Sequence, residues 1–257
     1  MLERNKIYCI DVLDGLKQLD NDSVDVIITS PPYNNGGVHS KSNWKQNKGG
    51  INDKWSVVCY GGDTSTDNMP EDEYEEWQIK ILNECYRVLK PDGSMFYNHK
   101  NRIWHGKGEI ISPYKWLFKT NFKIRQEIIW DRRGSICIHP SRYMQSREQI
   151  YWLTKSESPK FVRKKDTPYK LEVWGFQAEK NNEHPAPFPQ KLPDNILHCI
   201  KENDDDRLLV LDPFMGSGTV ALSAKKYGCD YIGFEKFQEY VDMANNRINK
   251  NKECLKK

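Results

Sequence analysis

The chain of 257 residues has no closely spaced cysteine pair and no long apolar run. Its seven cysteines are scattered and odd in number, so they predict neither a disulfide framework nor a zinc site. No apolar stretch approaches membrane-spanning length, and the N-terminus carries no charged-then-apolar signal segment. We therefore expect a cytoplasmic protein in a reducing environment, with no metal and no membrane association.

The chain also lacks a large excess of positive or negative charge, since the formal net charge is only +3. The charges are unevenly distributed, however: residues 155–170 (KSESPKFVRKKDTPYK) are strongly basic, whereas residues 71–76 and 204–206 are acidic. A local concentration of charge says more about binding partners than the sum does. The basic stretch is a candidate contact for nucleic acid, and an ordinary solvated loop is the alternative.

Apolar segments alternate between two kinds of pattern along the chain. VDVIIT, at residues 24–29, is an apolar and β-branched run that is typical of a strand buried on both faces of a parallel sheet. Residues 71–90 carry apolar side chains at helical spacing, and residues 207–250 read as strand, helix, strand and helix. This alternation predicts an α/β fold, a doubly wound sheet in a single domain of residues 1–257. Residues 34–70 show neither the strand nor the helix pattern, and we interpret them as an insertion loop.

A glycine-rich loop follows the predicted strand RLLVL. Gly216, Gly218 and Ala221 fit the pattern G-x-G-x-x-A, in which small residues let a ligand approach the backbone at a helix start. The next strand ends in Glu235, slightly short of the usual offset for an acid that binds ribose hydroxyls. Only one helix remains after Glu235, so the chain has no second half for a dinucleotide. The alternative is a tight strand-to-helix turn without a ligand.

A second unusual loop, Ser30-Pro31-Pro32-Tyr33, ends the strand VDVIIT. Proline lacks a backbone N–H and restricts the preceding residue, so it stops the strand abruptly. Ligands of open α/β sheets bind beyond the carboxyl ends of the strands, where the strand order reverses. If the two strands are parallel, both loops open into one cleft; otherwise SPPY is a stiff surface turn.

Taken together, ITSPPY, DPFMGSGT and YIGFE resemble the amino-group DNA methyltransferases that use S-adenosylmethionine. The order, with the catalytic motif before the cofactor motif, is similar to their circularly permuted β class. RVLKPDG, IIW and HPAPFP add to a resemblance that spans Ile7 to about Ile248. It implies a Rossmann-like sheet with loop insertions, and methyl transfer to the exocyclic amine of a base rotated out of double-stranded DNA.

The resemblance also implies site residues. The Ser30 hydroxyl and the Pro31 carbonyl would accept the hydrogens of the amine, Pro32 would stiffen the loop and Tyr33 would stack on the base. The implied cofactor-binding residues are Asp11, His184, Phe188, Asp212, Phe214, Gly216, Gly218, Thr219 and Glu235. An aspartate after a short strand, such as Asp11, is more often a helix cap, and a histidine before a proline, such as His184, is more often an ordinary loop residue.

The target base and the DNA contacts are predicted more coarsely. TSPP[FY] is associated with cytosine N4, so Ser30 favours that amine, and adenine N6 stays open. Residues 154–183 are the candidate target-recognition region. Basic contacts with DNA are expected from His39, Lys41, Lys45, Arg132, Arg133, Lys160, Arg163, Lys164 and Lys165. A homodimer and a cognate restriction endonuclease are further candidate partners.

Three other functions fit parts of the pattern. The xPPY chemistry also serves RNA and protein-amide methylation, although the basic insertions and the motif order favour DNA. A cofactor-bound but inactive DNA-binding subunit is another alternative, which the complete Ser30–Tyr33 motif opposes. A dinucleotide oxidoreductase is the least favoured, because the chain ends too soon after Glu235.

Overall fold

A computed structural model describes residues 2–35, 68–103, 109–134, 143–177, 189–203 and 205–254. The strands in these ranges are β1 (Lys6–Cys9), β2 (Val24–Thr29), β3 (Leu89–His99), β4 (Arg102–Ile103), β5 (Ile110–Ile111), β6 (Lys123–Asp131), β7 (Arg147–Thr154), β8 (Val173–Gly175), β9 (Leu209–Asp212) and β10 (Asp230–Glu235). The helices are α1 (Val12–Leu16), α2 (Glu71–Val88), α3 (Tyr114–Leu117), α4 (Lys191–Ile200), α5 (Thr219–Lys226) and α6 (Gln238–Cys254). Within the same ranges, no helix combines the length and the apolar character that crossing a bilayer requires.

Eight strands form one mixed sheet in the order β1-β10-β9-β2-β3-β7-β6-β8. The first five are parallel, β7 is antiparallel to both β3 and β6, and β8 is parallel to β6. β4 and β5 form a separate two-stranded sheet. The predicted doubly wound α/β sheet is confirmed.

Hydrophobic cores lie on both faces of this sheet. Residues of α4, α5 and α6 contribute to one core, whereas residues of α1, α2 and α3 contribute to the other. β2 contributes to both cores: Val26 and Ile28 belong to the first, and Ile27 between them belongs to the second. Because successive strand residues face opposite ways, the uninterrupted apolar run predicted for β2 is what burial on both faces requires.

The order of the strands reverses between β2 and β9, which are parallel neighbours paired at Val26↔Val210 and Ile27↔Leu211. From β9 the chain goes through α5 to β10 on one side, and from β2 it goes through α2 to β3 on the other. The carboxyl ends of both strands therefore meet at one edge of the sheet, here called the carboxyl edge. The opposite side of the sheet, where these strands begin, is the amino edge.

Helix α4 begins earlier than its sequence pattern suggests. The segment PDNILHCIKEN suggests a helix capped at its start, but α4 begins earlier, at Lys191, and Gln190 makes no side-chain capping bond. Asp194 lies in the first turn, and its carboxylate instead accepts hydrogen bonds from Ser223 Oγ at 2.7 Å and from Lys226 Nζ at 2.6 Å. Pro193 is tolerated there because backbone N–H groups in a first helical turn have no intrahelical partner.

Candidate active site at the carboxyl edge

Two loops meet at the carboxyl edge: the proline loop (residues 30–34) after β2 and the glycine loop (residues 212–219) at the end of β9. Thr29 Oγ1 donates a hydrogen bond to Asp212 Oδ1 at 2.8 Å, and both residues are buried. This contact joins the last residue of β2 to the last residue of β9. The structure thus brings the two unusual sequence motifs into one site.

Backbone conformation shapes the glycine loop. Gly216 and Gly218 have φ values of +49° and +80°, in the left-handed region that favours glycine. A Cβ atom on Gly218 would lie 2.9 Å from the Cβ of Ala244, so glycine also lets α5 approach α6. From α6, Arg247 Nη1 donates to the carbonyl of Ser217 at 2.6 Å and to its hydroxyl at 2.7 Å.

Two carboxyl groups flank the glycine loop: Asp212 is fully buried and Glu235 is partly buried. Burial raises the pKa of Asp212 to about 7, although hydrogen bonds from Thr29 and from the Phe214 N–H (3.0 Å) partly oppose this. Burial likewise raises the pKa of Glu235, whose Oε2 accepts from Gly216 N at 2.9 Å and whose Oε1 accepts from Phe237 N at 3.1 Å. Each carboxylate would be stabilised by a nearby positive charge, so this site favours a ligand that carries one.

A chain of hydrogen bonds supports the proline loop from β3 and β7. The Ser30 and Tyr33 hydroxyl oxygens are 2.8 Å apart, and Tyr33 donates to Glu148 Oε2 at 3.0 Å. Asn98 Nδ2 donates to the Tyr33 oxygen at 2.7 Å and to Glu148 Oε2 at 2.9 Å. Arg132 Nη1 donates to Glu148 Oε1 at 3.0 Å. The loop's two hydroxyls are therefore connected to an ion pair whose carboxylate is buried and whose arginine is partly exposed.

A second set of contacts fixes the backbone of the proline loop. The Tyr74 hydroxyl, from α2, donates to the Pro32 carbonyl at 2.7 Å and lies 2.8 Å from His99 Nε2. Burial keeps the pKa of His99 well below its usual range, so this imidazole is neutral. Its ring packs against that of Tyr33, with centroids 4.5 Å apart. One face of Tyr33 is thus supported by protein.

Asn34, the last residue of the proline loop, is hydrogen-bonded to the segment that leads into α2. Its side chain donates to the Met69 carbonyl at 3.0 Å and accepts from the Met69 N–H at 2.7 Å. Arg102 donates to the Asn34 carbonyl at 3.2 Å and forms a buried ion pair with Glu71. The proline loop is therefore fastened to the residues that precede α2. His39, Lys41 and Lys45, predicted to contact DNA, lie outside the described residues.

The remaining predicted cofactor residues are differently placed. Asp11 caps α1, where its Oδ1 accepts from Leu13 N at 2.9 Å. Phe214 packs edge-on against Trp77, with ring centroids 5.7 Å apart. Thr219 is buried at the start of α5. His184 and Phe188 lie outside the described residues, and the binding roles of this whole set stay predictions.

The predicted DNA-binding cations fall at two different edges. Arg133 follows β6 at the carboxyl edge and is exposed, while Arg132 beside it is paired with Glu148. The basic stretch instead runs along the amino edge. Lys160 pairs with Asp92 at 3.2 Å, and the neighbouring Val162 N–H donates to the Cys199 carbonyl at the end of α4. Arg163, Lys164 and Lys165 follow directly, on the side away from Ser30.

Sequence reasoning missed the residues that support the proline loop. Glu148, Asn98, Tyr74 and Arg102 come from segments that read only as ordinary strand and helix positions. A carboxylate and an amide within otherwise apolar strands are the available signal, because buried polar side chains need partners. The sequence does not say which partner each has.

Comparisons with known proteins identify the class. A DNA methylase family model matches residues 24–246, and the chain belongs to this family of N6 and N4 methyltransferases. It is similar to the type II methyltransferase M.BglII of Bacillus subtilis, with 29% identity across 93% of this chain and 68% of that protein.

Two solved structures share the fold. The cytosine-N4-specific PvuII DNA methyltransferase has a TM-score of 0.72 and 22% identity, covering 96% of this chain and 87% of that one. The complex of M1.HpyAVI with S-adenosylmethionine has a TM-score of 0.60 and 22% identity, covering 95% of this chain and 98% of that one. Membership of the family makes the carboxyl-edge site the candidate site of methyl transfer.

Proposed function

We propose that this protein transfers a methyl group from S-adenosylmethionine to the exocyclic amine of a base in double-stranded DNA, with cytosine N4 as the first target. The observation that carries the proposal is the contact between Thr29 and Asp212 at 2.8 Å. It joins the end of the strand that leads into Ser30-Pro31-Pro32-Tyr33 to the start of the glycine loop. An amine held by the first loop and a ligand held by the second would meet at this edge.

The residues of the glycine loop fit the cofactor. The carboxyl groups of the buried Asp212 and the partly buried Glu235, both with raised pKa values, favour a ligand with positive charge, and S-adenosylmethionine carries sulfonium and ammonium groups. Gly216 and Gly218 leave room for close approach to the backbone. When bound, the cofactor supplies an activated methyl group. Asp212, Phe214, Gly216, Gly218, Thr219 and Glu235 would hold it, with Asp11, His184 and Phe188 as further predicted contacts.

The proline loop supplies what the nucleophile needs. The amine's lone pair is conjugated into the base, and acceptors for its N–H bonds favour a tetrahedral nitrogen whose lone pair can react. The Ser30 hydroxyl and the Pro31 carbonyl are the proposed acceptors. The ring of Tyr33, supported on one face by His99, would stack on a base rotated out of the duplex. Positioning of the amine against the methyl group accounts for much of the rate.

DNA would approach at the carboxyl edge. Among the predicted contacts, Arg133 is exposed there. Lys100, which the sequence did not single out, lies 5.7 Å from the Tyr33 ring centroid. Contacts from Lys160, Arg163, Lys164 and Lys165 require the duplex to extend to the amino edge. Residues 154–183 remain the proposed target-recognition region. A homodimer and a cognate endonuclease remain part of the proposal.

Nucleoside mass spectrometry on DNA from a methylation-free host that expresses the chain tests the function. N4-methylcytosine is the expected product, and a Tyr33→Ala variant expressed at the same level is the matched control. N6-methyladenine would keep the reaction but show that Ser30 does not select the base. DNA with neither product, from cells containing soluble protein that binds the cofactor, would contradict the proposal and favour RNA or an inactive subunit.

A further inference from the structure

A buried carboxylate lies behind the proposed acceptor hydroxyl, and neither the sequence motifs nor the family resemblance assigns it a role. Glu148 on β7 is 7% exposed, and its carboxylate accepts hydrogen bonds from Tyr33, Asn98 and Arg132. Asn98 is only 2% exposed. A serine hydroxyl is a weaker acceptor than a carboxylate, so a negative charge connected to it bears directly on the reaction.

The hydrogen-bond directions follow from counting hydrogens. An ionised carboxylate only accepts, so the single hydroxyl hydrogen of Tyr33 goes to Glu148 Oε2, 3.0 Å away. Because that hydrogen is used, the 2.8 Å contact between Tyr33 and Ser30 requires Ser30 to donate. Asn98 Nδ2 fills the second acceptor site on Tyr33 at 2.7 Å. Ser30 itself receives only a long contact from Asn98 Nδ2, at 3.4 Å, because the two hydrogens of that amide have shorter bonds to Tyr33 and Glu148. Ser30 therefore keeps a lone pair for an incoming amine.

We propose that Glu148 fixes the direction of this hydrogen-bond chain and receives, through Tyr33 and Ser30, the proton that the target amine loses. Glu148 is a positioning residue in this scheme, since it acts through the two hydroxyls. Arg132, 3.0 Å from Glu148 Oε1, holds the carboxylate in place. The inference rests on the proposed methyl transfer to an exocyclic amine.

Atoms and charges balance along this route. The amine nitrogen forms a bond to the methyl carbon, and the carbon–sulfur bond breaks with its electron pair on sulfur. The nitrogen then gives one proton to Ser30, while Ser30 passes its own hydrogen to Tyr33 and Tyr33 passes its own to Glu148. Both hydroxyls are restored. The positive charge of the sulfonium and the negative charge of Glu148 are both neutralised.

The test is a cycle of Tyr33→Phe, Glu148→Gln and the double variant, measured in single-turnover methylation of DNA. Tyr33→Phe keeps the ring and removes only the hydroxyl, whereas Glu148→Gln keeps the shape and removes the charge. Each single variant is expected to lower the single-turnover rate and the steady-state kcat about 100-fold, with the steady-state KM for DNA and for the cofactor changed less than about threefold. The double variant is expected to be no slower than the slower single variant, because both substitutions break one chain.

A matched control removes a carboxylate of the same kind elsewhere. Glu127 on β6 accepts from the Tyr114 hydroxyl at 2.8 Å, and Glu127→Gln is expected to keep the wild-type rate. A second readout needs no turnover: the urea unfolding midpoints of the ligand-free variants should be non-additive, since both lose the same Tyr33–Glu148 bond.

The outcomes separate the two proposals. Wild-type protein that methylates no DNA would contradict the proposed function, while the unfolding cycle would still report on the hydrogen-bond chain. Active wild-type protein with an unimpaired Glu148→Gln variant would overturn the role of Glu148. Rate losses that multiply to about 10⁴-fold in the double variant would do the same, because they would mean independent effects. If Glu148→Gln folds poorly, Tyr33→Phe decides alone: an unchanged rate overturns the chain, and a 100-fold loss with constant KM supports it.

Discussion

The proline loop and the glycine loop meet at one edge of the sheet but are held in different ways. The glycine loop is held mostly through its own backbone groups: the N–H groups of Gly216 and Phe214 donate to the carboxylates of Glu235 and Asp212, and the Ser217 carbonyl accepts from Arg247. The proline loop has few internal bonds. It is held by side chains from β3, β7 and α2, which lie 42 to 115 residues further along the chain.

This difference separates two tasks. A ligand that is held by backbone groups and glycines is bound by a shape that the local sequence encodes. A base that must be positioned for reaction needs side chains with defined hydrogen-bond directions, which distant strands supply. Substitutions in the two loops should therefore affect different steps: changes in the glycine loop should affect cofactor binding, and changes around the proline loop should affect turnover.

The largest expected effect comes from removing the Tyr33 side chain. Tyr33→Ala loses the stacking surface and the hydroxyl together, and methylation should fall by at least about 10³-fold. Cofactor affinity, measured by calorimetry, should change by less than about threefold because Tyr33 belongs to the other loop. Tyr227→Ala at the amino edge is the control. Retained turnover in Tyr33→Ala would show that the proline loop is not the catalytic one.

The next effect is on stability and depends on pH. Burial raises the pKa of Asp212 to about 7, above its ordinary value of 3.8, so between these values the folded protein binds more protons than the unfolded chain. The free energy of unfolding must therefore decrease as the pH rises through this window. Relative to Asp212→Asn, the ligand-free wild type should lose about 3 kcal/mol between pH 5 and pH 8 in urea unfolding. A constant difference would mean that Asp212 does not titrate in this range.

Asp212→Asn also tests whether the two loops affect different steps, cofactor binding and turnover. Asp212→Asn keeps the acceptor for Thr29 and Phe214 but removes the negative charge, so it should weaken cofactor binding about 30-fold at pH 8. Turnover at saturating cofactor should fall far less than in Tyr33→Ala. A large loss of turnover with unchanged cofactor affinity would remove the proposed division between the loops.

The difference between local and distant contacts also explains which features the sequence predicts. The α/β sheet, the buried strand β2 and the glycine loop are encoded locally, by an apolar run, a motif and a strand-to-helix turn, and the fold prediction is confirmed. The support of Tyr33 is not encoded locally. Glu148 and Asn98 meet it only because β3 and β7 are paired antiparallel, and no periodicity along the chain specifies that pairing. The sequence pattern also misplaces the start of α4 for a related reason: the Asp194 carboxylate does not cap this helix but bonds to Ser223 and Lys226 of α5.

A smaller effect is expected from Tyr74→Phe. The substitution removes the hydroxyl that holds the Pro32 carbonyl at 2.7 Å, while the ring stays in its contact with Trp116. Methylation should fall about tenfold through loss of positioning, and cofactor affinity should stay the same. Single-turnover rates at saturating cofactor measure this. Tyr114→Phe on α3, which loses a bond to Glu127 instead, is the control.

The smallest expected effect is on DNA binding, which is compared at the two edges of the sheet. Arg133 at the carboxyl edge and Arg163 at the amino edge are both exposed arginines, so their alanine variants form a matched pair. Arg133→Ala should weaken binding to duplex DNA about threefold and reduce the salt dependence by about one phosphate contact. Arg163→Ala should change neither value if the duplex stays at the carboxyl edge, where Ser30 and Tyr33 lie. Equal losses in both variants would mean that the duplex extends along the protein to the basic stretch, where the sequence predicts DNA contacts. Both edges of the sheet would then contact the DNA.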